Sequence, residues 1–333
     1  MTVPDVSVIV VNFNGQSYLE TCLSSIEQQD LEHEIVLVDN ASVDGSVAFV
    51  RERFPAVRLV ELERNLGFAG GNNAGARVAA GRHLAFLNND TRVDPSWLGA
   101  LRRAIDGKPD VGFVTSRIVY MHDPAVIDSA GDCLTRAGGA FKRGHGDSSE
   151  QLAQPREVFG ACGAACLFRR EVFEAAGGFD EDFFLSHEDV DLSYRARLLG
   201  YRCHYVPEAV VAHAGSATLG RMSTQAVFYS QRNIEWLYLQ NTPWPLLLRT
   251  LPGHLIYTAA AAVYFGSVGL GLPYLRGKWA ALKGAGRAWR KRRSIQRTRS
   301  ASSRAIWEQL EPRWLAGKLR EKRFDLRLVS GSR

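Results

Sequence analysis

The chain has 333 residues, of which 46% are hydrophobic and 23% charged; these are globular values that exclude wholesale disorder. That length holds one large domain or two ordinary ones with ample core. The net charge of +6 is unevenly spread: residues 276–333 carry 18 Lys/Arg against 4 Asp/Glu, and residues 1–275 carry 23 against 31.

Residues 1–5 lack the basic segment of a secretory leader and run directly into a strand. Val6-Ser7-Val8-Ile9-Val10-Val11 is almost continuously β-branched, as a strand buried on both faces would be, and it stops at Asn12. A helix is predicted over 17–29. The next strand, 34–38, stops at Asp39-Asn40. Ser42, Asp44 and Ser46 offer caps for a short helix ending near 54. A third strand covers 57–62, and the glycine-rich stretch 65–75 opens a small-residue helix. The fourth strand, 83–87, ends in Asn88-Asn89-Asp90-Thr91. Strand and helix alternate at βαβ spacing, which predicts an α/β fold with a doubly wound, mostly parallel sheet.

After about residue 115 the alternation degrades. Residues 116–155 read as a hairpin plus a mobile loop, 158–168 as a strand and 170–176 as a short helix. A helix follows over 188–199, then strand character at 201–206 and 209–212, then a helix over 224–239. Five cysteines (22, 133, 162, 166, 203) show neither framework nor metal spacing, which points to a reducing compartment.

Residues 250–275 contain no Asp, Glu, Lys or Arg, and their number meets the ~18–20 residues needed to span a bilayer. Trp244 and Trp279 flank the segment, and Arg287-Ala288-Trp289-Arg290-Lys291-Arg292-Arg293 follows it. It reads as a membrane-surface or re-entrant segment with a polybasic foot on anionic lipid, against the alternatives of a true span or a soluble core helix. Nucleic acid is set aside as a partner for the basic tail, since no recognised binding motif accompanies it.

Apolar strands that stop at Asp or Asn place those groups at the mouth of the sheet, where open α/β folds bind ligands. Transfer of a sugar from a nucleoside diphosphate needs contacts to base and ribose, stabilisation of the departing diphosphate, and a carboxylate to take a hydroxyl proton. Asn12 and Asp39, the glycine-rich turn, Asp90 and Asp189 occur in that order. Each has a plainer reading. Asp39 can cap the following helix with Ser42 and Asp44, and Gly67, Gly70, Gly71 and Gly75 can serve close packing only. Asp90 can be a turn residue. Glu188, Asp189 and Asp191 can form an acidic first turn, with Asp191 paired to Arg195. His213 can be a structural histidine. Phe183, Phe184 and His187 can line an acceptor pocket or pack their own loop.

Five stretches together resemble the inverting family 2 glycosyltransferases of GT-A fold, in particular their rhamnosyltransferase-like branch. They are Val10-Val11-Asn12-Phe13-Asn14-Gly15; residues 38–46; residues 65–75; Leu87-Asn88-Asn89-Asp90-Thr91; and Gly177-Gly178-Phe179-Asp180-Glu181 through His187-Glu188-Asp189-Val190-Asp191-Leu192. The resemblance covers about residues 5–240. It implies Asp39 as the base-contacting acid, Asn88-Asn89-Asp90 in the place of the family's Asp-X-Asp, Asp189 as catalytic base and His213 as a metal ligand. Asn12, Asn65, Gly67, Gly70, Asn72, Asn88, Asn89 and Glu188 join Asp39 as expected substrate-binding positions. Because Asn88 replaces the first acid, only Asp90 brings charge to a Mg²⁺ or Mn²⁺ ion, which is expected to be held with His213.

The expectation is therefore a glycosyltransferase domain over 1–240 and a membrane-associating apolar and basic region over 241–333. The enzyme would use a nucleoside-diphosphate sugar, dTDP-L-rhamnose by resemblance, and a glycan or lipid-linked acceptor of surface-polysaccharide assembly. It would work at the cytoplasmic face of the membrane, peripherally bound. The rivals are a sugar-1-phosphate nucleotidyltransferase, disfavoured because residues 11–16 contain no Lys or Arg to cradle a triphosphate, and a sugar-nucleotide-binding protein without turnover.

Overall fold

The computed structural model describes residues 4–215 and 223–313, together with 315, 317 and 324. Its first half alternates as the apolar runs predict: β1 (Val6–Asn12), α1 (Gln16–Glu27), β2 (His33–Asp39), α2 (Ser46–Arg53), β3 (Arg58–Glu61), α3 (Gly67–Val78) and β4 (His83–Asn88). β1 lies parallel between β2 and β4, in a register that sets Asn12 opposite Asp39 and Val11 opposite Asn88. The polar strand ends thus share one edge. The glycines of α3 let that helix press onto the sheet: a side-chain carbon on Gly71 or Gly75 would collide with Val11 or Ile9.

The second half comprises β5 (Thr91–Val93), α4 (Trp97–Ile105), β6 (Val111–Tyr120), β7 (Ile127–Ser129), β8 (Asp132–Leu134), β9 (Ala140–Lys142), β10 (Arg156–Val158), β11 (Ala165–Arg169), α5 (Arg170–Ala175), α6 (Glu188–Leu198) and β12 (Arg202–His213). The main sheet runs β10-β12-β6-β11-β4-β1-β2-β3 and is mixed, because β11 is antiparallel to both β4 and β6. Both faces are covered. Leu19, Leu23, Trp97 and Leu101 fill one side, and Phe86, Phe113, Phe168 and Phe173 the other. Full burial of each such side chain is worth about 1.5–3 kcal/mol.

Four expectations are corrected. Residues 116–155 contain the expected hairpin, β8 with β9, but are not otherwise loop, since β7 joins the main sheet beside β6. Residues 158–168 are not one strand, because the chain leaves the ladder between β10 and β11, where the Gly163 amide is given to a side chain instead. The two expected strands at 201–212 are one strand, β12, with a register shift between Val206 and Val210. That shift spans Pro207, which has no amide hydrogen to give the ladder. The charge-free stretch 250–275 is not one segment. It is divided between α8 (Trp244–Ser267) and α9 (Gly271–Thr298), with the turn at Gly269 in a left-handed conformation, φ +75°.

α7 (Thr224–Asn241) packs along α9, and α10 (Ser303–Gln309) follows. All five cysteines are buried and free.

Candidate active site

Two clusters meet at the strand ends. The first is neutral apart from Asp39 and Asp44. Asn12 donates to Asp39 Oδ1 (3.2 Å) and to Ser42 Oγ (3.1 Å), while its own Oδ1 accepts from Asn89 at 2.7 Å. Asp39 Oδ2 accepts the Ser42 amide at 2.9 Å, so the turn-capping reading of Asp39 describes its present contacts. Asn40 ties this edge to the start of α3, accepting from the Leu66 amide and donating to the Gly67 carbonyl. Asn65 Oδ1 takes the Gly67 amide, and Asn72 donates to Phe68 one turn back in its own helix. A side-chain carbon on Gly70 would strike Leu66. These groups build a pre-formed polar rim, with Asp39 at 3% and Asn12 at 0% exposure.

The second cluster is charged. His213, at the end of β12, has Nε2 3.1 Å from Asp90 Oδ1 and Nδ1 2.8 Å from Asp128 Oδ2. The Asn88 amide nitrogen lies 3.3 Å from the same Nε2. Burial alone would lower the His213 pKa, but the hydrogen bonds and charges of Asp128 and Asp90 raise it to about 9. Nε2 therefore carries a proton at neutral pH, placed between an imidazole and a carboxylate. Asp128 is fully buried and pairs with Lys142 at 2.9 and 3.0 Å. Lys142, His145 and His213 outweigh burial and hold the Asp128 carboxyl well below the usual range.

Asp128 and Lys142 carry no local sequence signal. Only the approach of β7 and β9 to the end of β12 reveals them.

Asp189 heads α6. Its Oδ2 accepts the Gly163 amide (2.9 Å) and its Oδ1 its neighbour's amide, Val190 (2.8 Å). Two residues connect it to the other cluster, since Ala164, next to Gly163, accepts the Asn88 amide at 3.0 Å. A side-chain carbon on Gly163 would touch both Asp189 and Phe68, so the start of α3 shares the same rim. Burial pushes the Asp189 carboxyl up, against the lowering effect of the two amides. Glu188 is buried, and burial followed by the Asp189 charge pushes its carboxyl well above the ordinary value. Asp191 is paired with Arg195 as expected, and Gln240 and Asn241 also donate to it.

The loop before α6 is strained. Phe184, Ser186 and His187 all have positive φ (62°, 71° and 68°), a conformation costing about 1–3 kcal/mol per residue. Phe184 stacks on Tyr229 and its carbonyl faces Gly67; His187 Nε2 is 3.0 Å from Ser230 Oγ, and Phe183 is core.

The residues fit a divalent cation at Asp90 and His213. A hard oxygen and an imidazole nitrogen already enclose a proton that an ion would displace, and Asp128 fixes the ring as an outer ligand does. Among the described residues, Asp132, Cys162 and Asp189 also place ligand atoms within 4.8 Å of one another. Burial holds the Cys162 thiol protonated, which makes that trio the poorer donor set. A cleft of about 720 Å³ bordered by Arg77, Arg195 and Lys291 is lined by none of Asp39, Asp90, Asp189 or His213.

The chain is similar to known proteins in sequence and in fold. The chain is 31% identical over 227 residues to the O-antigen biosynthesis protein RfbC of Myxococcus xanthus, covering 65% of this chain but only 18% of that protein. It is 28% identical over 240 residues to N-acetylglucosaminyl-diphospho-decaprenol L-rhamnosyltransferase of Mycobacterium tuberculosis (strain ATCC 25618 / H37Rv), covering 64% of this chain and 77% of that one. The crystal structure of GalNAc-T7 with UDP, GalNAc and Mn²⁺ superposes with a TM-score of 0.59 at 19% identity, over 72% of this chain and 48% of that one. This likeness concerns the fold, which is that of the GT-A glycosyltransferases. The model for glycosyl transferase family 2 matches residues 7–177, more than half of the 333, and the chain belongs to that family as a glycosyltransferase.

Proposed function

We propose that the protein transfers a sugar, with inversion, from a nucleoside diphosphate to a lipid-linked saccharide at a membrane surface. The observation that carries this reading is the common rim joining Asp189 to the Asp90–His213–Asp128 chain through Gly163, Ala164 and Asn88. Asp189 takes the proton of the acceptor hydroxyl. The oxygen then bonds to the anomeric carbon as the bond to the nucleoside diphosphate breaks, and the electron pair leaves with the diphosphate. The raised pKa of Asp189 strengthens it as a base. Asp39, Asn12 and Asn89 border the base and ribose side, and Asn65, Gly67, Gly70 and Asn72 shape the start of α3 beside it. Asp90 and His213 would hold Mg²⁺ or Mn²⁺, which when bound supplies positive charge to a departing diphosphate. The rhamnosyltransferase relative favours L-rhamnose as the sugar, and dTDP-L-rhamnose is the donor that the family resemblance implies.

Residues 1–240 would form the catalytic body and 241–333 its attachment to the cytoplasmic membrane face. α8 is long and apolar enough to span a bilayer. However, His254 on it is buried against the Ala137 carbonyl and Glu235, which favours lying on the surface over crossing. Leu248, Leu251 and Leu255 on α8, and Leu272, Leu275, Trp279 and Leu282 on α9, are exposed at helical spacing. Arg276, Lys283, Arg290 and Arg293 are exposed on α9 as well, suiting anionic headgroups.

A thermal-shift screen of nucleoside diphosphates with and without Mn²⁺ tests the site. The right nucleotide at ~100-fold saturation adds ~2.7 kcal/mol, more readily with Mn²⁺. No stabilisation by any of them would remove the reading. Replacing the four exposed basic residues by Gln tests the membrane face: at ~1 kcal/mol per charge, flotation with anionic vesicles falls by about 10²–10³-fold. Unchanged flotation contradicts it.

A further inference from the structure

The loop that delivers Asp189 has three residues at positive φ and none is glycine. Something outside the loop must hold it, and the contacts converge on one side chain of α7. Asn233 is fully buried, and its amide nitrogen lies 2.9 Å from the Phe183 carbonyl, 2.8 Å from Leu185 and 2.7 Å from Ser186. Two N–H groups thus serve three consecutive-turn carbonyls that the left-handed residues expose. Arg232 donates to Asn233 Oδ1, fixing which way the amide faces, and also donates to the carbonyls of Asp182 and Phe183. The same loop closes on α6, whose first turn is anchored by the Asp191 amide on the His187 carbonyl.

We infer that Asn233 is a positioning residue: its amide holds residues 183–187 in their left-handed path and so sets Asp189 against the Gly163 amide. The inference rests on Asp189 as the base. α9 reaches the start of the same loop, since Arg287 and Lys291 pair with Asp182 and Lys291 also pairs with Asp180. Those contacts lie outside the turn; within it Asn233 holds the Leu185 and Ser186 carbonyls and shares the Phe183 carbonyl with Arg232.

The test uses the full chain with Asn233→Ala, Asn233→Ala/Ser186→Gly and Asp189→Asn. Asn233→Ser, which keeps one donor, replaces the alanine variant if that does not fold. Hydrogen exchange of amides in 183–191 is expected to quicken in Asn233→Ala while exchange in β1 and β2 is unchanged. With a panel of dTDP-L-rhamnose, UDP-sugars and GDP-mannose, turnover is expected to fall by about 10–100-fold, the scale of a misplaced catalytic group, with donor KM within about 2-fold. The acidic limb of the pH profile moves, because Asp189 loses its fixed amide partner. Ser186→Gly, which accepts positive φ without strain, restores part of the loss; a merely structural role for Asn233 in α7 would not be rescued from the loop. Unchanged exchange at 183–191, or equal loss in the single and double variants, overturns the inference. The Asp189→Asn arm separates the two claims. If it retains full turnover the base assignment fails; if it is inactive while Asn233→Ala keeps its kcat, only the role of Asn233 fails.

Discussion

The two halves of the rim are built on different physical principles. At the ends of β1 and β2, Asn12, Asp39, Ser42 and Asn89 satisfy one another through four hydrogen bonds of 2.7–3.2 Å, two between neutral groups and two onto the Asp39 carboxylate. At the end of β12, the order comes from buried charge: Lys142 neutralises Asp128, Asp128 orients His213, and His213 faces Asp90. The first half is held mainly by hydrogen bonds, with Asp39 and Asp44 as its charges. The charged half stores its ligand preference in a proton, which an ion can replace.

This contrast is broken most severely by Asp128→Asn. The Lys142 ammonium then loses its buried counter-ion, and removing one partner of such a pair costs about 3–5 kcal/mol. Because Lys142 keeps 33% of its side-chain surface in water, the low end is expected in denaturant unfolding. The same variant frees the His213 ring, and Mn²⁺ affinity by titration calorimetry falls about 10–100-fold. A stability loss without any change in Mn²⁺ affinity would dissociate Asp128 from the cation.

The pH dependence sharpens the comparison next. His213 is raised from 6.5 to about 9 in the folded protein. Its contribution is therefore fully present below pH ~6.5 and is lost as pH rises through about 9, by up to about 3 kcal/mol for a shift of this size. Metal-free protein should show this decline in thermal unfolding, and His213→Gln should not. Mn²⁺ needs the neutral ring, so its affinity rises over the same window and offsets the decline. A flat profile in metal-free protein would mean His213 is already neutral.

The smallest effect belongs to the neutral half. Ser42→Ala removes an oxygen that accepts from Asn12 and from the Asn14 amide, at about 1 kcal/mol and with no pH dependence. A pH-dependent loss there would erase the distinction between the halves.

The same contrast explains what the sequence made legible. The neutral half lies at the ends of apolar strands, so its residues announce themselves by where a hydrophobic run stops: Asn12 after Val11, Asp39 after Val38, Asn89 after Leu87 and Asn88; of the charged half, Asp90 is marked in the same way. Asp189 was legible as one acid of the triplet heading α6, and Asp191 as the partner of Arg195. The charged half is assembled by pairing across the chain. Asp128 lies in a three-residue strand inside a turn-rich segment and meets His213 85 positions away. Its burial depends on β7 closing against β6, which no local pattern encodes. The uniform apolarity of 158–168 likewise concealed the break at Gly163, whose value lies in an amide withheld from the sheet. In the C-terminal region, composition revealed the absence of charge over 250–275 but not the turn at Gly269 that folds it into two helices.

The most direct measurement is a crystal structure of the Asp189→Asn variant soaked with Mn²⁺ and the nucleotide sugar that stabilises it, with the ion located by anomalous scattering. The account predicts Mn²⁺ between Asp90 and His213 and the anomeric carbon of the same sugar facing residue 189. Manganese held by Asp132 and Cys162 instead, or a sugar seated in a cleft that residue 189 does not reach, would contradict it.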